Sequence, residues 1–363
     1  MKMRIQPRSR GRSAIKFLYI RHRKLPASQV KATWCSINWT NKGGSAMKTV
    51  SHLHRIAAGL FLSVAAFSTP LQAADDAACK TIRLSDPGWT DITATNGVAS
   101  VLLDALGYEA DVKTLSVPIG YQAMKNGEID VFLGNWMPAQ KSFVDDLNSA
   151  KAAEVLTKNL EGAKFTLAVP AYMAEKGVKD FADLAKHADE FESKIYGIEP
   201  GAPANQNIQK IIDANDFGLK GWQLVESGEQ AMLAQVERAG RDKKAVVFLA
   251  WAPHPMNEKI DIAYLSGGDA YFGPNFGGAE VYTLARTGWP EKCPNAAGLF
   301  KNLKFDIGME NTLMGSILGG EDSKAAAAAW LKANPKALDG WLQGVNTLDG
   351  KPGADAVKGK LGL

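Results

Sequence analysis

The chain has 363 residues, with 42 Lys and Arg against 38 Asp and Glu. Its net charge of +4 is misleading, because 13 of the basic residues and none of the acidic ones precede Ala74; the remainder carries 29 basic and 38 acidic residues, a net of −9. That leaves no basic patch for nucleic acid and favours a soluble protein with a cationic ligand. The length admits one large domain or two medium ones.

From Met47 the chain reads "MKTVSHLHRIAAGLFLSVAAFSTPLQAADDAACK". Lys48 and Arg55 form a positive n-region, "AAGLFLSVAAF" (57–67) an apolar core, and Ala73 a small residue for cleavage. An apolar core of eleven residues does not span a bilayer. We therefore expect 47–73 to be a signal peptide, 1–46 an upstream extension and Ala74 the approximate mature start; the alternative is that 1–46 is a basic leader. The exported part keeps Cys79 and Cys293. Two cysteines in an exported protein predict a disulfide, the alternative being two free buried thiols.

Apolar runs then alternate with helical spacing. "TIRLS" (81–85) reads as a strand; Val98, Val101, Leu102, Ala105 and Leu106 follow a helical period capped by Gly107. "ADVKTL" is a second strand, "VPIGYQAMKNGE" a short helix with Pro118 in its first turn, and "IDVFLGN" a third strand. The pattern restarts with "KFTLAV" (strand), "KDFADLAKHADEF" (helix), "SKIYGIE" (strand), "PANQNIQKIIDAN" (helix), "WQLVE" (strand), "GEQAMLAQVERAG" (helix) and "AVVFLAW" (strand). "AEVYTLAR" (279–286) returns as a strand, followed by helices at 295–304, 308–318 and 323–334. The fold class is α/β with largely parallel strands. The layout predicts two lobes joined by crossing strands, 79–165 with 273–363 and 166–272.

Two of these strands end alike, in "VFLGNW" (131–136) and "VFLAW" (247–251). Ligands of open parallel sheets bind beyond the carboxyl ends of the strands. Trp136 and Trp251 fall there, and so does Trp89 in "SDPGWTD", four residues past the first strand. Phe165 begins the first strand of the second unit, at the predicted crossing. Three or four ring faces suit a methylated quaternary ammonium, which has no N–H to donate but is held by ring quadrupoles at about 0.5–2 kcal/mol per contact. Asp91, two residues after Trp89, adds a carboxylate for a ligand hydroxyl and a favourable charge. Singly, each has a plainer reading: the tryptophans as core lids, Asp91 as a complement to the helix dipole.

"IEPGAPANQ" (198–206) is a glycine-containing turn into a helix, either a receptor for an oxyanion or an ordinary proline-opened turn. His254 in "WAPHPMN" is a candidate base in a rigid loop, with no nucleophile beside it. There is no G-x-S-x-G, H-E-x-x-H, C-x-x-C or phosphate loop, and only His187 and His254 follow Ala74. No cofactor, metal or catalytic residue is expected.

The stretches "LSDPGWTDITAT", "LGNWMPAQ", "GAKFTLA", "YGIEPG", "EQAMLAQV" and "PHPMN" resemble the choline-binding periplasmic proteins of ABC importers, within the wider family for glycine betaine, choline and carnitine. The resemblance covers essentially all of the exported part. It implies a two-lobed periplasmic binding protein (type II) without enzymatic activity, acting as a monomer and delivering its ligand to permease subunits. It makes Trp89, Trp136 and Trp251 walls of an aromatic box, puts Asp91 at the ligand's polar end, and pairs Cys79 with Cys293. The pattern departs at two places: Phe165 stands where choline-binding members carry tyrosine, and Ala202 where they carry asparagine, with Asn205 three residues on as the candidate substitute. The expected ligand is choline. Glycine betaine or carnitine is the alternative, and a choline-ester hydrolase the remote one, lacking an activated nucleophile.

Overall fold

The first strand, β1 (Thr81–Asp86), buries Ile82 and Leu84 and ends at the turn into helix α1 (Thr90–Ala105). The computed structural model describes residues 75–363, so the readings of 1–46 and 47–73 lie outside it. Helix α1 closes as expected, with Gly107 at φ +89° just past its C-cap. Strand β2 (Glu109–Thr114), helix α2 (Val117–Lys125, Pro118 in its first turn), strand β3 (Val131–Met137) and helix α3 (Lys141–Ser149) complete one half. β1 lies parallel to both β2 and β3.

β4 (Ala153–Pro170) is much longer than the expected 164–169. Its first part pairs antiparallel with β9 (Gly278–Arg286), its later part with β7 (Phe248–Ala252) and β8 (Ile262–Tyr264). Lys164 faces both Gly278 and Ala252, so the strand changes partners there. Residues 153–163 lack a clean apolar alternation because much of that stretch is only half-buried, which hid the strand from the sequence reading.

The second half contains β5 (Lys194–Tyr196), helix α4 (Pro203–Ala214), β6 (Gln223–Val225) and helix α5 (Glu229–Arg241), which leads to β7. β5 runs parallel to β6 and β7. One nine-stranded sheet results, in the order β2-β1-β3-β9-β4-β7-β5-β6, with β8 beside β4. The two-lobed α/β architecture is curled around the long strands β4 and β9. The helix expected over 179–191 is a correction. Asp180 caps a four-residue helix, Phe181–Leu184, a 3-10 turn follows, and Glu192 and Ser193 turn at positive φ into β5. Buried Phe181, Leu184 and Phe191 anchor this segment without a continuous helix.

After β9 come α6 (Pro294–Asn302), α7 (Ile307–Leu318), α8 (Ser323–Ala333) and α9 (Gly353–Leu361). Asp306 and Asp322 accept N–H groups of the first turns of α7 and α8. Cys79 and Cys293 form a disulfide, both buried, with Cα atoms 5.7 Å apart. Beside it Asp75 accepts the N–H groups of Asn295 and Ala296, each at 2.9 Å, capping α6. The bridge thus fastens the start of the described chain to a helix more than 200 residues later. Among the described residues no helix is long and apolar enough to cross a membrane.

Candidate functional site

Trp89 occupies the N-cap position of α1 in an extended conformation, which aims its ring off the helix axis. Its indole N–H donates to both carboxylate oxygens of Glu199, at 2.9 and 3.0 Å. Trp136 is the penultimate residue of β3, paired with Val281 of β9. Trp251 lies near the end of β7, directly opposite Phe165 of β4. The Phe165 ring meets Trp136 edge-on, with centroids 6.3 Å apart. Each repeated strand ending is followed by a cis peptide, Met137–Pro138 and Ala252–Pro253.

These four rings and Asp91 line one cavity. Ile198, Pro203, Ala204 and Leu249 supply further apolar wall, and Ala139 and Gln140 close it beyond β3. The site is therefore shared between the two ends of the sheet. A concave apolar space with few polar groups is the usual form of a small-molecule site.

Asp91, in the first turn of α1, is the ionisable group in this lining. The Trp136 indole donates to its Oδ2 at 3.0 Å. Oδ1 is buried with no hydrogen-bond partner among the described residues, and the residue is 1% exposed. Burial pushes its carboxyl up to about 8, with the charge of Glu229 adding to the effect and the Trp136 bond opposing it. Glu310 of α7, fully buried nearby, is raised well above the usual carboxylate range by burial and then by Asp91. Burial also raises Glu199. Asp91 is thus the one carboxyl in the cavity lining, and burial disfavours its charged form.

Gln140 shows why β3 ends where it does. Its Oε1 accepts the Tyr121 hydroxyl at 2.7 Å and its Nε2 donates to the Gly134 carbonyl at 2.8 Å. The Tyr121 oxygen in turn accepts from Asn135 at 2.7 Å. This buried polar chain fixes the segment carrying Trp136, with its members satisfied by one another.

Asn205 requires a correction. It is 1% exposed and does not line the cavity. Its Oδ1 accepts the Ile198 N–H at 3.0 Å, and its Nδ2 donates to the carbonyls of Ile198 and Glu199 and to the Glu226 carboxylate. With its donors and acceptor engaged locally, it fastens the turn that carries Glu199. Gly197 makes room for it: a Cβ there would lie 2.3 Å from Asn205 Oδ1. Ala202, the N-cap of α4, is buried and offers no side-chain cap. Pro203 and Ala204, at the start of α4, turn apolar side chains to the cavity.

His254 is 1% exposed, packed edge-on against Trp251 with centroids 4.9 Å apart, and hydrogen-bonded to Glu229. The Thr90 hydroxyl nearby donates to that carboxylate and not to the imidazole, so the groups are not in the order of an activated nucleophile. Among the described residues no cluster of His, Cys, Asp and Glu has the makings of a metal site.

Comparison with known proteins places these features in a family. The family model described as the substrate binding domain of an ABC-type glycine betaine transport system matches residues 80–333. The structure of an ABC-transporter choline binding protein in complex with choline is 53% identical and aligns with a TM-score of 0.78, covering 79% of this chain and all of that one. Lactococcal OpuAC in its closed, glycine betaine-bound form is 27% identical, with a TM-score of 0.66, covering 72% of this chain and 99% of that one. A glycine betaine/carnitine transport binding protein of Listeria monocytogenes is 30% identical over 156 residues, 43% of this chain and 51% of that protein. With the matched segment running from the start of β1 to the end of α8, the chain belongs to the family of substrate-binding domains of ABC-type glycine betaine transport systems.

Proposed function

We propose that this protein captures choline outside the cytoplasm and hands it to the permease of an ABC importer. The observation that carries this reading is the cavity itself: four aromatic rings and one unpartnered carboxylate oxygen. Three or four ring faces supply a large part of the roughly 8 kcal/mol that micromolar affinity requires. The free Oδ1 of Asp91 suits a hydroxyl donor at the ligand's polar end. The 53% identity to a choline-binding protein supports the same ligand. Residues 79–165 with 273–363 form one lobe in this reading and 166–272 the other, and ligand shifts the population toward the closed form. The protein acts as a monomeric binder and not as an enzyme, in line with a family of binding domains.

Titration calorimetry with choline, acetylcholine, glycine betaine and carnitine tests the proposal. Choline is expected to bind most tightly. Tighter binding of glycine betaine than of choline overturns it in favour of the compatible-solute reading, which the names of the more distant relatives favour.

A further inference from the structure

Thr90, the first residue of α1, meets Glu229, the first residue of α5, across the cleft between the two ends of the sheet. The Thr90 N–H donates to Glu229 Oε2 at 2.9 Å, and the Thr90 hydroxyl to Oε1 at 2.5 Å. Oε1 also lies 3.1 Å from His254 Nε2. The Met256 N–H donates to His254 Nδ1 at 2.9 Å, so Nδ1 is bare and the ring proton sits on Nε2, facing the carboxylate. Three donors from two parts of the fold thus converge on one carboxylate that is only 4% exposed. Charge-assisted bonds of this kind are the strong ones, and the start of a sixteen-residue helix favours a negative group.

Both partners of Glu229 adjoin walls of the cavity. Thr90 follows Trp89 in the chain, and the His254 ring packs against Trp251. We propose that Glu229 and His254 are positioning residues for the ligand site. They form a clasp between the lobes that sets the Trp89 and Trp251 indoles against one another when the cleft closes. The Trp89–Glu199 bond is its companion on the other side of the α1 terminus. The inference rests on reading the cavity as a quaternary-ammonium site. In an open cleft Glu229 is hydrated, so closing exchanges water for protein donors at small net gain. What the clasp adds is register and residence time, so it acts on release more than on encounter.

The test compares the parent with Glu229→Gln, Thr90→Val and Thr90→Ser. Choline affinity is read by calorimetry, and the two rate constants by stopped-flow tryptophan fluorescence. A glutamine places N–H groups where donors already point, and a valine deletes the hydroxyl while keeping the shape. Both variants are expected to release choline at least tenfold faster, equivalent to about 1.4 kcal/mol, with association within about threefold of the parent. Thr90→Ser, which keeps the hydroxyl, is expected to restore slow release. A role in folding alone would lower the melting temperature without this split between the rates. Parental release rates in both Glu229→Gln and Thr90→Val overturn the clasp and leave the ligand reading standing. If Glu229→Gln does not fold, Thr90→Val decides alone. A parent that binds neither choline nor glycine betaine overturns the ligand reading and the clasp together.

Discussion

The indole nitrogen of Trp136 donates to Oδ2 of Asp91 at 3.0 Å, joining the end of β3 to the first turn of α1 inside the cavity that both side chains line. The bond engages one carboxylate oxygen and leaves the other without a partner. Trp136 thus serves as a wall and also aims the carboxyl group beside it.

The first prediction concerns pH. Where the cavity is closed, as in this structure, burial, aided by the charge of Glu229, pushes Asp91 up to about 8, so at neutral pH it is mostly protonated. A cationic ligand favours the anion, and binding choline releases a proton. Choline affinity should therefore rise with pH up to about 8 and level off above it. Glycine betaine should show the opposite trend, since only a protonated Asp91 donates to its carboxylate. Calorimetry from pH 6 to 9 checks both slopes; a choline affinity that falls over this range refutes the assignment of Asp91.

The same group has a consequence for stability. An unfolded aspartate titrates near 4, so between about 4 and 8 the ligand-free fold holds its proton more tightly than the unfolded chain does. The contribution of Asp91 to stability is therefore lost as pH rises through that window. Asp91→Asn should remove this slope. At pH 8 the ligand-free variant is expected to melt higher than the parent while binding choline more weakly. Function would then be held at a cost in stability, as is common at binding sites.

Substitutions of the walls separate ring face from hydrogen bond. Trp136→Ala and Trp251→Ala should each weaken choline binding at least tenfold, about 1.4 kcal/mol or more, with circular dichroism like the parent's. Trp136→Phe keeps a face and deletes the donor to Asp91, so it should fall between Trp136→Ala and the parent. If Trp136→Phe binds as poorly as Trp136→Ala, the orienting bond matters more than the face.

The walls were legible in the sequence because they sit where a strand pattern stops, and alternating apolar runs mark strand ends well. Asn205 was misplaced because proximity to the start of a helix does not say where a side chain points. Its amide closes on residues 198 and 199 within its own turn. Glu199, Glu229 and Gln140 carried no local signal: Glu199 meets Trp89 across 110 positions and Glu229 meets Thr90 across 139. Such pairs are made by the tertiary fold. The polar helix α3 escaped for a related reason: along its length only Leu147 is buried.

The disulfide should matter for stability and not for binding. Cys79 and Cys293 stand 214 positions apart, and neither lines the cavity. Closing so long a loop restricts the unfolded chain strongly, typically by roughly 2–5 kcal/mol. The Cys79→Ser, Cys293→Ser double variant should melt well below the parent, with choline affinity unchanged at temperatures where it stays folded. A matching loss of affinity would show that the bridge also shapes the site.

A last prediction follows from how Phe165 is held. Gly277 lies just before β9 with φ at +74°, and a Cβ there would fall 1.8 Å from the Phe165 carbonyl oxygen. No side-chain rotation relieves that overlap, because both sides of it are backbone. Gly277→Ala must therefore move β4 at Phe165 or strain its own turn, where a left-handed conformation already disfavours alanine. Phe165 is paired with Trp251 in the strand register and edge-on to Trp136, so a shift of its backbone disturbs two walls at once. The variant should lose at least about 1–3 kcal/mol of stability and bind choline more weakly than Gly298→Ala, an alanine introduced in α6 where nothing lies within 4 Å. Equal melting temperatures and affinities for the two variants would mean that the crossing of β4 and β9 tolerates displacement, and that Phe165 is not held by its backbone.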